Sequence, residues 1–230
     1  MKYDTYAFIC TREKAPTVTR NNLTHYLSRA GVRTKLLVGQ DSIFSGYKKA
    51  FELTQPKAND TIILCHDDIE ILSDIHIFHN ELERHLSQVK SGFAGIAGTT
   101  LLGEDAVWWD HQRWKQGLHK GHVYHGKDLH SYDNTYYGKP GRVVVMDGLF
   151  LAAKAKTLTT IGLDKPDYFE GKWDYYDIFY TLKAHNLGLI NKTVPIIVLH
   201  NSFGELAGRE SWQKNREAFI NNHTLPVSCN

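Results

Sequence analysis

The strongest chemical feature of the sequence is a pair of adjacent carboxylates at the end of an apolar run. The run at 61–65, TIILC, leads directly into His66, Asp67 and Asp68. Paired negative charges at the end of a buried strand are unfavourable unless a cation neutralises them. Mg²⁺ and Mn²⁺ accept oxygen ligands and leave coordination positions for phosphates. The alternative is a solvated turn in which Asp68 caps the next segment, and the spacing leaves both interpretations open.

Two further segments carry side chains that suit the same chemistry. His200 ends the apolar run at 196–199, where it is either a metal ligand or a histidine with its hydrogen bonds satisfied at a strand end. Asp174 and Asp177 lie at the start of a predicted helix over 175–185. A carboxylate there can act as a general base for an attacking hydroxyl. Aspartate also favours the helix N-cap, a role that fits Asp174 better than Asp177.

The elements that must position these residues alternate between strand and helix. Apolar runs predict strands at 6–10, 36–38, 61–65 and 93–97, and helical spacing predicts helices at 19–30, 42–53 and 74–89. This alternation favours an α/β fold with a mostly parallel central sheet and helices on both faces. Such sheets bind ligands beyond the carboxyl ends of their strands. Polar side chains follow three of these ends, at Thr11-Arg12-Glu13, at Gln40-Asp41 and at the carboxylate pair.

Regular periodicity disappears between residues 98 and 141. This stretch contains three tryptophans, four tyrosines and five histidines, which is too aromatic for a disordered linker. A loop of that length is usually functional, so we predict a long aromatic-rich insertion. The histidines form no compact ligand pairs of the zinc-finger type, and zinc is therefore disfavoured. Strands are predicted again at 143–146, 149–153 and 196–199, and a closing helix at 210–221.

Taken together, the motifs resemble inverting glycosyltransferases of the GT-A fold in the broad family 2-like group. The resemblance is closest to the branch whose metal motif reads His-Asp-Asp. The blocks that carry it are residues 45–50 (SGYKKA), 66–68 (HDD), 146–152 (MDGLFLA), 176–178 with 182–184, Gly188, and 195–200. Their order and spacing match from the first strand to about residue 204, and this resemblance implies a GT-A (Rossmann-like) domain.

The resemblance also implies a role for individual residues. Asp68 would bind a Mn²⁺ or Mg²⁺ ion that bridges the donor diphosphate, with His200 as a second ligand. Asp177 would be the catalytic base, with Asp174 as the second choice. The residues implied to contact the nucleotide or the donor sugar are Thr11, Arg12, Glu13, Gln40, Asp41, Tyr47, His66, Asp67 and Asp147.

An acceptor surface is the remaining part of such a site. Sugars stack on aromatic side chains, so Trp108, Trp109, Trp114 and Trp173 are candidates for the acceptor wall. Gly148 would lie beside the acceptor or the donor sugar, by the same resemblance. The alternative for each indole is that it simply packs the insertion onto the domain.

Composition narrows the class of protein. The 230 residues, 42% hydrophobic and 23% charged, fit a single globular domain. We expect a nucleotide-sugar-binding half at 1–97, an acceptor-side segment at 98–141 and an acceptor and catalytic half at 142–230. The net charge of +2 does not indicate a nucleic-acid partner. No apolar stretch suits a signal peptide or a transmembrane segment, so we expect a cytoplasmic protein.

Three functions are compatible with these features. The favoured one is transfer of a sugar, from a UDP-sugar ahead of dTDP- or GDP-sugars, to a glycan or glycoconjugate acceptor. A nucleotidyltransferase would share the strand-end aspartates, but residues 11–16 lack the glycine-rich loop that triphosphate binding uses. A non-catalytic carbohydrate-binding module would use the aromatic segment, but it would not need Asp67, Asp68, Asp177 and His200.

Overall fold

The computed structural model describes residues 3–11, 17–128, 130–202 and 209–229. The first part of the chain forms, in order, β1 (Thr5–Thr11), α1 (Val18–Arg29), β2 (Arg33–Val38), α2 (Ile43–Thr54), β3 (Thr61–Cys65), β4 (Ile69–Ile71), α3 (Ile75–Leu86) and β5 (Ser91–Gly95). The middle part forms β6 (Ala97–Thr99), β7 (Leu101–Leu102), α4 (His111–Lys115), β8 (His119–Asp128) and β9 (Ser131–Gly138). The last part forms β10 (Arg142–Val143), β11 (Val145–Met146), β12 (Phe150–Lys154), α5 (Ala155–Ile161), α6 (Tyr176–Asn186), β13 (Ile190–Thr193), β14 (Val198–His200), α7 (Glu210–Asn222) and β15 (Val227–Ser228).

The larger sheet of the described residues has seven strands in the order β10-β13-β5-β12-β3-β1-β2. β1 is parallel to β2 and β3, and β13 is parallel to β5. β12 is antiparallel to both β3 and β5, and β10 is antiparallel to β13. The sheet is therefore mixed: five strands run in one direction, as predicted for a mostly parallel sheet, and β12 and β10 run against them. Every residue of β12 is buried, and the apolar sequence of a fully buried strand does not indicate whether the strand is parallel or antiparallel to its neighbours.

A second sheet among the described residues has six strands and includes β6, β8 and β9 from the segment around residues 98 to 141. Its order is β11-β6-β8-β14-β4, and β9 pairs with β8 in an antiparallel hairpin. The predicted long loop is therefore a folded insertion. The buried positions of β8 are His119, Gly121, Val123 and Gly126, so only one of the four is aliphatic. This is why the hairpin lacks the alternation of apolar and polar residues that predicts a strand.

The long helices lie close to their predicted positions because local capping determines where they start. Ser42 and Ser45 form a reciprocal capping box at α2, and the Asp74 side chain accepts a hydrogen bond from the His76 backbone at α3. α6 differs, since its N-cap is Tyr175 in a left-handed conformation with φ of 67° and no side-chain cap. Asp174 is therefore not the cap. No helix in the described segments combines the length and the apolar character needed to cross a bilayer.

An aromatic cluster fixes the start of α6. The Tyr175 ring lies 5.4 Å from Trp212 and 5.5 Å from Phe219, both on α7, and its hydroxyl donates to the Ala106 carbonyl at 2.9 Å. Phe169 packs against the rings of Tyr175 and Phe219. Buried aromatic contacts of this kind leave little rotational freedom. The cluster therefore holds the next two residues of the chain, Tyr176 and Asp177, in a fixed orientation.

Candidate functional site

The turn after β3 brings together three side chains that can bind a metal. His66 and Asp68 lie in this turn, and the pairing of β14 with β4 places His200 opposite Ile69. Asp68 Oδ1 lies 3.7 Å from His66 Nδ1 and 3.4 Å from His200 Nε2. One ligand atom from each residue lies within 4.8 Å of the other two. The sequence paired Asp68 with His200 and assigned His66 to the donor, whereas the structure brings His66 into the same cluster.

The chemistry of this cluster fits a divalent cation. Asp68 Oδ1 is buried and has no hydrogen-bond partner among the described residues. Such an atom costs about 1–3 kcal/mol unless another group compensates it. Burial by itself would raise the pKa of the Asp68 carboxyl, but His200 and His66 outweigh that effect and lower the pKa. The carboxylate is therefore kept in the charged form that binds a cation.

Tyr176 contacts both the metal-binding cluster and the turn between β11 and β12. Its hydroxyl lies 3.0 Å from His66 Nε2 and 2.9 Å from the Gly148 carbonyl oxygen. Its ring packs 5.8 Å from Tyr47 and 6.4 Å from Phe44 in edge-on contacts. Tyr47 is 0% exposed, so the structure gives it a packing role under Tyr176 in place of the predicted contact with the donor.

A second group of acidic side chains lies where the turn between β11 and β12, which carries Asp147, meets the start of α6, which carries Asp177. The Gly148 backbone amide donates to Asp177 Oδ2 at 2.9 Å, and the Leu149 amide donates to Asp147 Oδ1 at 2.9 Å. Burial, and then the negative charge of Asp147, raise the pKa of Asp177 from 3.8 to about 7. A carboxylate with a pKa near neutrality suits general-base catalysis. Asp177 therefore has the electrostatic properties expected of its predicted role.

Gly148 is the point at which this turn meets α6. A Cβ atom at this position would overlap the Tyr176 hydroxyl and would lie 3.0 Å from the Asp177 Cβ. We predict that Gly148→Ala displaces Tyr176 and Asp177, lowers the unfolding free energy by about 1–3 kcal/mol and reduces turnover. Thermal denaturation and steady-state kinetics measure both effects. Gly141→Ala is the matched control, because a Cβ there meets only ordinary contacts at 3.8 and 3.9 Å. Equal stability and turnover in the two variants would contradict the assignment.

A buried arginine joins two of the residues predicted to bind the donor. Arg20, 3% exposed, donates from Nη1 to Thr11 Oγ1 at 3.0 Å and lies 4.0 Å from Asp67 Oδ2. Thr11 ends β1 and Asp67 follows β3, and these strands are neighbours in the sheet. The predicted convergence of strand ends is therefore observed for Thr11 and Asp67.

The other predicted donor residues lie at the same edge of the sheet or outside the described part. The Gly39 amide donates to the Thr11 carbonyl at 3.2 Å, so the end of β2 lies beside the end of β1. Gln40 donates from its side chain to the Val38 carbonyl, and Asp41 is exposed. Arg12 and Glu13 lie outside the described residues.

The predicted acceptor tryptophans do not share one environment. Trp108 is 2% exposed and packs against Trp109, His119 and Tyr137, so it belongs to the core and presents no face to an acceptor. Trp114 is half-buried and donates to the Tyr136 carbonyl. Trp109 and Trp173 are half-buried, and a contact with the acceptor remains a prediction for these two.

Asp174, the second choice for the base, is used structurally. Its Oδ2 accepts from the Ser211 hydroxyl at 2.8 Å, and its carbonyl oxygen accepts from the Asn215 side chain at 3.1 Å. Both partners lie on α7. The buried carboxylate therefore attaches α7 to the start of α6, which favours Asp177 over Asp174 as the base.

The comparison with known families agrees with this geometry. Residues 30–223, most of the chain, match the family described as "Glycosyltransferase like family". The chain belongs to this glycosyltransferase-like family. The predicted family and the predicted enzyme class, a glycosyltransferase, are thereby confirmed. No curated protein sequence matches this glycosyltransferase significantly.

Two solved structures show the same type of fold. The structure of GalNAc-T7 with UDP, GalNAc and Mn²⁺ aligns with a TM-score of 0.60 and 12% identity, over 92% of this chain and 44% of that chain. This glycosyltransferase thus spans less than half the length of GalNAc-T7. The crystal structure of A197 from STIV aligns with a TM-score of 0.51 and 12% identity, over 86% of each chain. At this identity the likeness concerns the fold alone, and it confirms a GT-A-like α/β architecture.

Three residues near the site of this glycosyltransferase were not singled out from the sequence. Arg20 lies on the same face of α1 as Leu23 and Leu27. A charged residue on an apolar helix face indicates that the charge is buried beside a partner. Tyr176 was part of a family block without a role of its own. Nothing in the sequence places His125 near the site, because only the pairing of β8 with β14 brings its ring to 5.5 Å from that of His200.

Proposed function

We propose that the chain is a metal-dependent, inverting glycosyltransferase that moves a sugar from a nucleoside diphosphate to an acceptor hydroxyl. One observation carries the proposal. A His-Asp-His cluster at the end of β3 is connected through Tyr176 and Gly148 to Asp177, a carboxyl whose pKa is raised to about 7. The cluster can bind a cation for the donor diphosphate, and Asp177 can accept the proton of the acceptor hydroxyl.

The donor atoms of the cluster favour Mn²⁺ over Mg²⁺. Two of the three side chains are imidazoles, which suit transition metals, whereas Mg²⁺ prefers oxygen ligands. We propose that His66, Asp68 and His200 hold this ion. When bound, it supplies positive charge that stabilises the leaving diphosphate.

The protein itself supplies the base and the orientation of the donor. Asp177 takes the proton from the acceptor hydroxyl, whose oxygen forms the new bond to the anomeric carbon while the bond to the diphosphate breaks. A single displacement of this kind inverts the anomeric centre. Burial, and then the charge of Asp147, keep the pKa of Asp177 high, and the Gly148 amide fixes the position of its carboxylate. Thr11 and Asp67, joined by Arg20, lie where we propose the nucleotide and the donor sugar bind.

UDP is the proposed nucleotide, and a glycan or glycoconjugate is the proposed acceptor. The structure of GalNAc-T7, a neighbour of similar fold, contains UDP and Mn²⁺, which supports this choice of donor and metal. We propose that Arg12, Glu13, Gln40 and Asp41 contribute to the nucleotide site. Trp109 and Trp173 are the proposed stacking residues for the acceptor.

Release of nucleoside diphosphate tests the proposal. UDP-, GDP- and dTDP-sugars are each incubated with the protein, with Mn²⁺, with Mg²⁺ or with a chelator, and released diphosphate is measured. We expect release from a UDP-sugar with Mn²⁺, slower release with Mg²⁺ and none with chelator. Pyrophosphate formation from a nucleoside triphosphate and a sugar phosphate would instead indicate a nucleotidyltransferase. Metal-independent glycan binding without release of any diphosphate would indicate a binding module.

A further inference from the structure

The hydroxyl of Tyr176 has a single proton and three hydrogen-bonding neighbours, one of which is the Tyr47 hydroxyl. The carbonyl oxygen of Gly148 lies 2.9 Å away, and His66 Nε2 lies 3.0 Å away. A carbonyl oxygen only accepts hydrogen bonds, so the tyrosine proton must point to Gly148 if that bond exists. The tyrosine oxygen can then only accept from His66, and Nε2 must carry the hydrogen.

This assignment determines the tautomer of His66. In a neutral imidazole only one nitrogen carries a hydrogen, and the other presents a lone pair. If Nε2 carries the hydrogen, Nδ1 presents the lone pair. Nδ1 is the atom that lies 3.7 Å from Asp68 Oδ1 inside the cluster. The hydrogen bond at one end of the ring therefore leaves the other end ready to bind a cation.

Ring packing and the start of α6 fix the position of Tyr176. Its ring packs against Tyr47 and Phe44, and the left-handed Tyr175 fixes the start of the helix that carries it. Its acceptor, Gly148, also donates its amide to Asp177. One residue of the β11–β12 turn thus contacts both the tyrosine behind the metal cluster and the proposed base.

We propose that Tyr176 is a positioning residue that holds His66 in the Nε2–H tautomer and so makes His66 the third ligand of the metal site. The inference rests on the proposed function only in that it requires the cluster to bind a cation. Partners that fix the tautomer of a ligating histidine change metal affinity by about 10–100-fold when they are removed.

The test combines Mn²⁺ titration with direct observation of the tautomer. Tyr176→Phe removes the hydroxyl, and Tyr180→Phe is the matched control. Tyr180 is buried on the same helix, one turn later, and its hydroxyl also donates to a carbonyl, that of Leu163, at 2.8 Å. We expect Tyr176→Phe to bind Mn²⁺, in the presence of UDP, about 10–100-fold more weakly than the wild type. The control should stay within about twofold, since it does not touch the cluster.

The tautomer is read in the metal-free wild type from nitrogen-15 correlation spectra of the imidazole, which distinguish the ring nitrogen that carries hydrogen from the one that presents a lone pair. The hydrogen of His66 on Nε2 is expected, and this measurement does not depend on the folding of any variant. A hydrogen on Nδ1 would overturn the inference, and so would equal Mn²⁺ affinity of both variants and the wild type. If the wild type itself bound no Mn²⁺ with any nucleotide, the proposed function would fail and this inference with it.

Discussion

Asp68→Asn is expected to abolish metal-dependent nucleotide binding and to lower turnover by roughly a thousand-fold, equivalent to about 4 kcal/mol of transition-state stabilisation. Asp68 is the carboxylate that lies between His66 and His200, at 3.7 and 3.4 Å from their ring nitrogens. Asparagine keeps the size of the side chain but removes the charge that holds a cation and balances the diphosphate. Turnover of the nucleotide sugar and the Mn²⁺ dependence of UDP binding are the two measurements.

Asp164→Asn is the matched control for this substitution. Asp164 is exposed and contacts Lys48, so it carries the same change of charge away from the cluster. Its turnover and its Mn²⁺ dependence should match the wild type. Wild-type turnover in Asp68→Asn would remove the basis of the metal assignment.

Asp177→Asn is expected to lower kcat by about 10²–10⁴-fold while UDP and Mn²⁺ bind as in the wild type. The asparagine oxygen can still accept the hydrogen bond from the Gly148 amide, so the local structure should persist. What is lost is the ability to take a proton from the acceptor. Rapid-mix kinetics with a saturating donor separate this loss from any change in binding.

Asp174→Asn discriminates between the two carboxylates considered as the base. Its carboxylate accepts from Ser211 on α7, and we therefore expect a lower unfolding temperature with little change in kcat. A large loss of kcat in Asp174→Asn, with normal kcat in Asp177→Asn, would reverse the assignment.

The pH dependence of turnover follows from the raised pKa of Asp177. A general base works in its deprotonated form, so kcat/KM should fall tenfold per pH unit below about 7 and level off above it. Burial raises the pKa of Asp177 most, the charge of Asp147 raises it further, and backbone hydrogen bonds, including those from Gly148 and Ile178, lower it. Asp147→Asn removes the negative charge and should move the acidic limb to lower pH. An unchanged limb in that variant would show that another group titrates.

Local patterns were enough to predict the five long helices and the strands β1, β2, β3 and β5 of the main sheet, but not the short helices α4 and α5. Ser42 and Asp74 are cap residues next to periodic apolar segments, and the burial of β1 and β3 follows from their apolar sequences. The direction of β12 was not predictable, because a strand that is buried throughout gives no sign of its orientation. The hairpin of β8 and β9 was missed because histidine and glycine occupy inward positions that aliphatic residues usually fill.

The candidate site was predictable where one strand end carries the chemistry, and not where distant segments meet. Asp68 was predicted from its place after a buried strand, whereas its pairing with His200, on a distant strand, was implied only by the family resemblance, and the two lie in contact. His66 was assigned to the donor because nothing local shows that Tyr176, 110 residues later, hydrogen-bonds its ring. Trp108 was proposed for the acceptor because an indole in an irregular segment looks the same whether it stacks on a sugar or fills the core. The burial of Trp108 in the structure shows that it fills the core.

Calorimetric titration of the purified protein with UDP, GDP and dTDP, with and without Mn²⁺, tests whether the His-Asp-His cluster forms a metal-dependent nucleotide site. We expect UDP to bind tightly only when Mn²⁺ is present, and we expect Asp68→Asn to lose this binding while Asp177→Asn retains it. UDP affinity that does not depend on metal would contradict the role of His66, Asp68 and His200. If none of the three nucleotides bound to the folded protein, the proposed transfer of a sugar from a nucleoside diphosphate would be contradicted.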